Sequence, residues 1–132
     1  MDLSITSSQL IFVFKEDKNI RRKQFDYEDT LKQYFKTPFR SNAIPDEIEP
    51  IIPRFEGESK NGYSKISVSQ NRVTLFTRYV DNFRRDFGKV KEYLDERKKN
   101  LQEAVKNQDV EFVAYVFDLG CEMDQNKIND YL

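Results

Sequence analysis

The stretch "RFEGESKNGYSKISVSQNRVTLFTRY" (residues 54–79) decides the fold. It contains two turn signals, Asn61-Gly62 and Gln70-Asn71, between segments in which apolar and polar residues alternate. Asn-Gly is a strong hairpin signal because both residues tolerate the positive φ angles that a type I′ turn requires. We therefore predict three consecutive antiparallel strands joined by two two-residue loops.

The two loops determine the register of these three strands. With Asn61-Gly62 as the first loop, Phe55 faces Val68, and with Gln70-Asn71 as the second, Val68 faces Val73. A slip of one residue in either hairpin would send one of these apolar side chains to the opposite face of the sheet. We expect all three side chains to lie next to one another on the core face.

The same stretch contains a short motif of metal-dependent nucleases of the PD-ExK type. Glu58-Ser59-Lys60 supplies the acid-x-lysine step, and Asp46 follows a proline upstream. Such an enzyme needs carboxylates held rigidly around a hydrated Mg²⁺ ion. The predicted register instead turns Glu58 outward opposite Lys65 and leaves Lys60 in the turn. A PD-ExK-like nuclease that uses Asp46, Glu58 and Lys60 is kept as a further alternative.

Two more strands flank this meander. The segment "QLIFVFKED" (9–17) has apolar residues on both faces, and so does "VEFVAYVFDLG" (110–120). Strands with two apolar faces are typical of the buried interior of a sheet. We predict that the first and last strands lie side by side in the middle of the sheet, buried on both sides.

Two helices complete the pattern. The segment "FDYEDTLKQYFKTP" (25–38) has an apolar stripe and a possible N-cap at Asp26. The longer segment (81–108) begins near the cap candidates Asp81 and Asn82. It carries an apolar stripe at helical spacing, made of Phe83, Phe87, Val90, Leu94, Leu101 and Val105. The tail (121–132) is polar with a weak helical pattern.

The predicted order is strand, helix, three strands, helix, strand. This order indicates one α+β domain over residues 1–132, a two-layer sandwich with an antiparallel meander and two helices on one sheet face. The other sheet face would then carry uncovered apolar side chains, which is rare in a soluble monomer. We therefore expect the tail, a further piece of chain or a second copy to cover it.

The composition narrows the chemistry. The chain has no His and one Cys, Cys121, so it lacks the residues for Ser-His or Cys-His activation and for an ordinary zinc site. No glycine-rich phosphate loop is present. We expect a protein that is not an enzyme and that uses no cofactor and no metal. The longest apolar run, "LIFVF" (10–14), is too short to span a membrane, and without a signal peptide a cytoplasmic location is expected.

The middle of the chain, about residues 44–117, resembles a family of uncharacterised, sporadically distributed bacterial proteins. The shared elements are a PRF strand at Pro53-Arg54-Phe55, an I-x-V-S hairpin at 66–69, an aromatic junction at Tyr79 and Phe83, and the apolar strand from Val110. The resemblance implies this fold and no catalytic residues. Members often continue with a second half, so this chain could be the N-terminal half of a longer architecture.

These observations favour a non-enzymatic protein-interaction module of a bacterial, phage or defence-related protein. We expect a protein partner or self-association through the outer sheet face, with Arg54, Tyr63, Phe76 and Arg78 as binding residues, because aromatic residues and arginine dominate binding hot spots. The alternative is nucleic-acid binding on the same face, with Tyr63 and Phe76 stacking on bases and with Arg54, Lys65 and Arg78 on phosphates. The pI near 5.6 counts against that alternative.

Overall fold

A computed structural model describes residues 2–122 of the chain. In chain order its elements are β1 (Asp2–Phe14), a 3₁₀ turn (Ile20–Lys23), α1 (Gln24–Leu31), β2 (Arg40–Ser41), β3 (Phe55–Glu58), β4 (Ser64–Val68), β5 (Arg72–Arg78), a second 3₁₀ turn (Asp81–Arg85), α2 (Phe87–Ala104) and β6 (Val110–Glu122). The α+β class and the predicted order are confirmed, with the two-residue strand β2 added. The part of the predicted tail from residue 123 onward lies outside the described residues.

The six strands form one antiparallel sheet in the order β2-β3-β4-β5-β1-β6. The predicted register is confirmed, because Phe55 pairs with Val68 and Val68 pairs with Val73. The second loop has the predicted two residues, Gln70-Asn71. The first loop is longer than predicted and comprises residues 60–63, because the last hydrogen bond of the hairpin is the one from Ser59 N to Ser64 O at 2.9 Å. Gly62 in this loop has φ +80°.

Both helices pack on one face of the sheet around a core of buried apolar side chains. That core joins Leu10 and Phe12 of β1 to Tyr27 and Leu31 of α1 and to Leu101 of α2. A smaller cluster at one end of the sheet comprises Ile5, Tyr79, Val90 and Leu94. The two-layer arrangement is therefore confirmed. None of the helices within residues 2–122 is long and apolar enough to cross a membrane.

The helix starts differ from the prediction. Asp26 lies within the first turn of α1, and the N-cap position belongs to Lys23, which makes no side-chain cap. Helix α2 begins at Phe87, with Asp86 as its cap: the Asp86 side chain accepts from Lys89 N at 3.0 Å. Residues 81–85 form a 3₁₀ turn instead. Two residues of the predicted stripe, Phe83 in this turn and Phe87 at the start of α2, are exposed, and the other four are buried.

The position predicted for the last strand is half right. Strand β6 pairs with β1 along most of its length, as expected, but it is the edge strand of the sheet. The prediction that it is buried on both sides is wrong. Strand β5 occupies the other side of β1, so β6 has a neighbour on one side only among the described residues, and its side chains are largely exposed on both faces.

Candidate binding surfaces

Arg54 does not belong to the outer surface on which it was predicted. Its side chain is fully buried. The guanidinium Nη1 donates to the carbonyls of Glu49 (2.9 Å) and Ile52 (2.7 Å), and Nη2 donates to those of Ile48 (2.6 Å) and Asp46 (3.3 Å). Because a buried charged group needs hydrogen-bond partners, these four bonds tie the loop before β3 to Arg54. It acts inside the fold and is not available to a partner.

The other three predicted binding residues are exposed. The Arg78 guanidinium carbon lies 5.5 Å from the centre of the Tyr63 ring, so these two side chains form a cation–π pair. Phe76 is 40% exposed and sits on β5 between Lys65 of β4 and Gln9 of β1. The structure therefore leaves Tyr63, Phe76 and Arg78 free for binding, and their role stays a prediction.

The predicted nuclease residues are not brought together. Asp46 pairs with Arg21, Nε to Oδ1 at 3.3 Å, and its carbonyl accepts from the side chain of Gln70, at one end of the meander. Glu58 ends β3 next to the opposite turn, four residues beyond Arg54, or roughly 13 Å along a strand. Within residues 2–122 no three His, Cys, Asp or Glu side chains are grouped to hold a metal ion.

Glu56, not Glu58, is the carboxylate that is fixed on this face. Glu58 lies opposite Lys65 in the strand pairing as predicted, but Lys65 makes its ion pair with Glu56. Arg40 of β2 also approaches Glu56, at 3.5 Å. Burial alone would raise the pKa of Glu56, but the hydrogen bonds from Lys65 and Asn42 and the nearby positive charges outweigh it and lower that pKa. Lys65 already forms an ion pair with Glu56, and it is therefore less available for a phosphate group.

The two edges of the sheet differ sharply in protection. The edge strand β2 has two residues, one of them Arg40, and lies in a proline-rich segment. The edge strand β6 has 13 residues and contains no Lys, Arg or Pro; it carries the acidic residues Glu111 and Asp118, and its pairing with β1 is irregular at Glu111 and near Asp118, so its central segment, residues 112–117, is regular and uncharged. Proteins usually protect exposed edges with short strands, charges, prolines or bulges, because an open edge can pair with another strand. Strand β6 is therefore a candidate interaction edge.

Most of the exposed side chains of β6 are apolar, the charged exceptions being Glu111 and Asp118. Phe112, Val116 and Leu119 are 55%, 44% and 63% exposed, and Tyr115 and Phe117 stack on each other with ring centres 6.3 Å apart. On the outer face the apolar positions continue from β6 onto β1 and β5. We call this set the outer apolar surface: Phe112, Ala114 and Val116 of β6, Ile11 and Val13 of β1, and Phe76 of β5.

A different site lies at the helix-covered face, where the sheet presents hydroxyl groups in place of apolar side chains. The strand pairing aligns Ser64 of β4, Thr77 of β5 and Ser8 of β1 in one row, and all three are buried. Tyr93 of α2 reaches this row, and its hydroxyl lies 2.8 Å from Ser64 Oγ and 2.9 Å from Thr77 Oγ1. Tyr79 bonds Ser8 at 2.7 Å, and burial raises the pKa of Tyr79 to about 12.

A cleft of about 310 Å³ opens beside this row. We call it the hydroxyl cleft. Its lining comprises the hydroxyl residues Ser64, Thr77 and Tyr93, the rings of Tyr63, Tyr79 and Phe83, the arginines Arg78 and Arg97, and Asn61 and Val80. The cleft therefore combines aromatic walls, buried hydroxyl groups and positive charge.

The sequence contained part of the signal for this cleft. The register that aligns Val68 with Val73 also aligns Ser64 with Thr77, so two buried hydroxyl groups on the core face were implied. The contributions of Ser8, Tyr93 and Arg97 come from distant elements and needed the folded chain. No protein-family model, curated protein or solved structure matches this chain.

Proposed function

We propose that this chain is a non-enzymatic protein-interaction module that associates with a second copy of itself through β6. The observation that carries this proposal is the long edge strand β6, whose central residues 112–117 are apolar and have no covering strand among the described residues. Pairing such an edge with another strand would satisfy its free backbone groups and remove its apolar side chains from water.

A second copy is the partner that fits this edge by symmetry. Most soluble oligomers use two-fold axes, in which one surface contacts its own copy. A two-fold axis perpendicular to the sheet pairs β6 with itself in antiparallel orientation and keeps each face of the sheet on its own side. The helices of both copies would then lie on the same face of one continuous sheet.

One register makes this self-pairing apolar. With the axis at Ala114, Phe112 of each copy faces Val116 of the other on the outer face. On the helix face, Val113 then faces Tyr115. Cross-strand pairs of aromatic and β-branched residues are favourable, at about 0.2–1 kcal/mol each. The acidic residues Glu111 and Asp118 fall outside these central pairs.

The test is the mass of the protein in solution. We expect light scattering to give a dimer that dissociates on dilution. Val116→Lys should weaken the dimer at least about tenfold, because each copy would bring a charge into the apolar centre of the interface. Val116 is exposed, so the variant should keep its circular dichroism spectrum, and its melting temperature should equal that of the wild type at dilutions where the wild type is monomeric.

Ser67→Lys provides the matched control. Ser67 lies on the same outer face, but on β4, three strands away from β6 in the sheet order. It should leave the dimer intact. A wild-type mass of one chain at every concentration, or an equal loss of association in both variants, would refute the proposal.

A further inference from the structure

The hydroxyl cleft has a floor with a defined hydrogen-bonding character. Ser64, Thr77 and Tyr93 bond one another in a closed ring, with oxygen–oxygen distances of 3.0, 2.8 and 2.9 Å. Each hydroxyl has one hydrogen, so three bonds in a ring use all three hydrogens. Each oxygen keeps a lone pair, and the floor therefore offers acceptors. A ligand that reaches the floor should therefore present an N–H donor to it.

The walls of the cleft are aromatic. Phe83 stacks on Tyr79 with ring centres 5.7 Å apart and meets Tyr93 edge-on at 6.5 Å. Phe83 is nevertheless 36% exposed, so part of its ring is free for contact. Aromatic walls of this kind accommodate flat rings. The volume is at the lower end of the range of about 300–1,000 Å³ that is usual for small-molecule sites.

The rim of the cleft is positively charged. Arg78 is exposed and lies over Tyr63. Arg97 is packed between two rings, 3.8 Å from the centre of Tyr34 and 5.0 Å from that of Tyr93. Arg97 also pairs with Glu96 at 3.5 Å, which leaves Arg78 as the more accessible cation. Guanidinium groups bind phosphate through paired hydrogen bonds, so the rim favours an anionic group.

We infer that the hydroxyl cleft binds a nucleotide whose base carries an amino group. The base would lie against the exposed part of the Phe83 ring with its amino group on the hydroxyl floor, and the phosphate would meet Arg78. Base–aromatic stacking together with arginine contact to phosphate is a common way of binding nucleotides. This inference does not depend on the proposed self-association, because the cleft and β6 use different residues.

The experiment is calorimetric titration of the 132-residue chain with adenosine monophosphate. Saturable binding to one site per chain is expected. Adenosine, which lacks the phosphate, and ribose 5-phosphate, which lacks the base, should each bind at least about tenfold more weakly. A short oligoadenylate tests whether the bound nucleotide belongs to a nucleic-acid strand. Tighter binding of the oligonucleotide per site than of the mononucleotide would assign the cleft to such a strand.

Two variants locate the site. Arg78→Gln should weaken binding of adenosine monophosphate about tenfold and leave binding of adenosine unchanged, because a charge-assisted contact to phosphate is lost. Thr77→Val keeps the side-chain shape but breaks the hydroxyl ring, and it should weaken both ligands. Arg72→Gln, at the other end of β5, is the matched control and should bind like the wild type.

The results separate this inference from the proposed function. The Val116→Lys variant should bind adenosine monophosphate normally even when it no longer forms dimers. Absence of saturable binding of adenosine monophosphate to the wild-type protein would overturn the inference, and so would binding that neither Arg78→Gln nor Thr77→Val changes.

Discussion

At the scale of single residues, Arg54 shows how a side chain can leave the surface that its place in the sequence suggests. Alternation along β3 assigns Arg54 to the outer face, together with Glu56 and Glu58. Arg54, however, precedes the first residue of β3, where the chain enters the sheet from the proline-rich loop. Four backbone carbonyls of that loop accept hydrogen bonds from its guanidinium. The loop geometry, which alternation does not describe, therefore determines its environment.

This environment leads to a stability prediction for Arg54→Met. The substitution removes the four hydrogen bonds that the buried guanidinium donates to the loop, and a hydrogen bond to a charged group contributes about 1.5–3 kcal/mol. We expect the free energy of unfolding, measured in urea, to fall by at least about 2 kcal/mol. The loop at 46–53 should also become more sensitive to limited proteolysis.

Arg78→Met is the control for Arg54→Met, because Arg78 is exposed and its loss should change the free energy of unfolding by less than about 0.5 kcal/mol. Equal effects of the two substitutions would mean that the buried hydrogen bonds of Arg54 do not stabilise the fold.

At the scale of elements, Glu56 connects three neighbouring strands. It lies on β3 and pairs with Arg40 of β2 and with Lys65 of β4. Asn42 Nδ2 also donates to Glu56, at 3.0 Å. The side chain of Glu56 is mostly shielded from water, whereas those of Arg40 and Lys65 are largely exposed. Ion pairs therefore link the edge strand β2 to β3 and β3 to β4, whereas most exposed side chains at the other edge, on β6, are apolar.

The lowered pKa of Glu56 predicts a pH-dependent contribution to stability. The charged form is favoured in the folded state, so its contribution is present above the ordinary value of 4.5 and is lost as the pH falls through the lower folded-state pKa. We expect Glu56→Gln to lower the free energy of unfolding by about 0.5–1 kcal/mol at pH 7. The difference from the wild type should narrow in urea titrations below pH 4.5.

Glu58→Gln is the control for Glu56→Gln, because Glu58 is exposed on the same strand. It should have a smaller effect at every pH. A difference between the wild type and Glu56→Gln that stays constant across the acid range would contradict the assigned role of the ion pairs.

At the scale of the whole molecule, the sheet order has placed a protected strand at one edge and an apolar strand at the other. Strand β1 could not be the edge, because β5 and β6 pair with its two sides. The outer apolar surface extends from the edge strand β6 across β1 to β5. Pairing at the edge and contact across the outer face are two different ways in which this surface could be used.

The substitution Phe76→Asp distinguishes edge pairing from face contact. Phe76 lies on β5, two strands from β6, and thus about 10 Å from the open edge. If β6 pairs with its own copy as proposed, Phe76→Asp should change the dimer dissociation constant by less than about threefold. Sedimentation equilibrium measures this constant directly. A loss of dimer as large as that in Val116→Lys would indicate that the copies meet through their outer faces instead.

Local sequence patterns predicted much of the fold. The meander register followed from Asn61-Gly62, Gln70-Asn71 and the alternation around them, since these signals act between neighbouring residues. Apolar spacing predicted the helix segments but not the residues at which the helices begin. Asp81 and Asn82, the predicted caps of the second helix, lie in a 3₁₀ turn before α2. Of the predicted binding residues, Tyr63, Phe76 and Arg78 are exposed as expected, while Arg54 is not.

Turn chemistry and alternation, which are properties of adjacent residues, specify which segments become strands and helices and how the three meander strands align. Long-range contacts specify that β6 is an edge within residues 2–122, that Arg54 is enclosed by its loop, and that Tyr93 completes a ring with Ser64 and Thr77. These features depend on contacts between residues far apart in the chain, and no local pattern specifies which distant elements become neighbours.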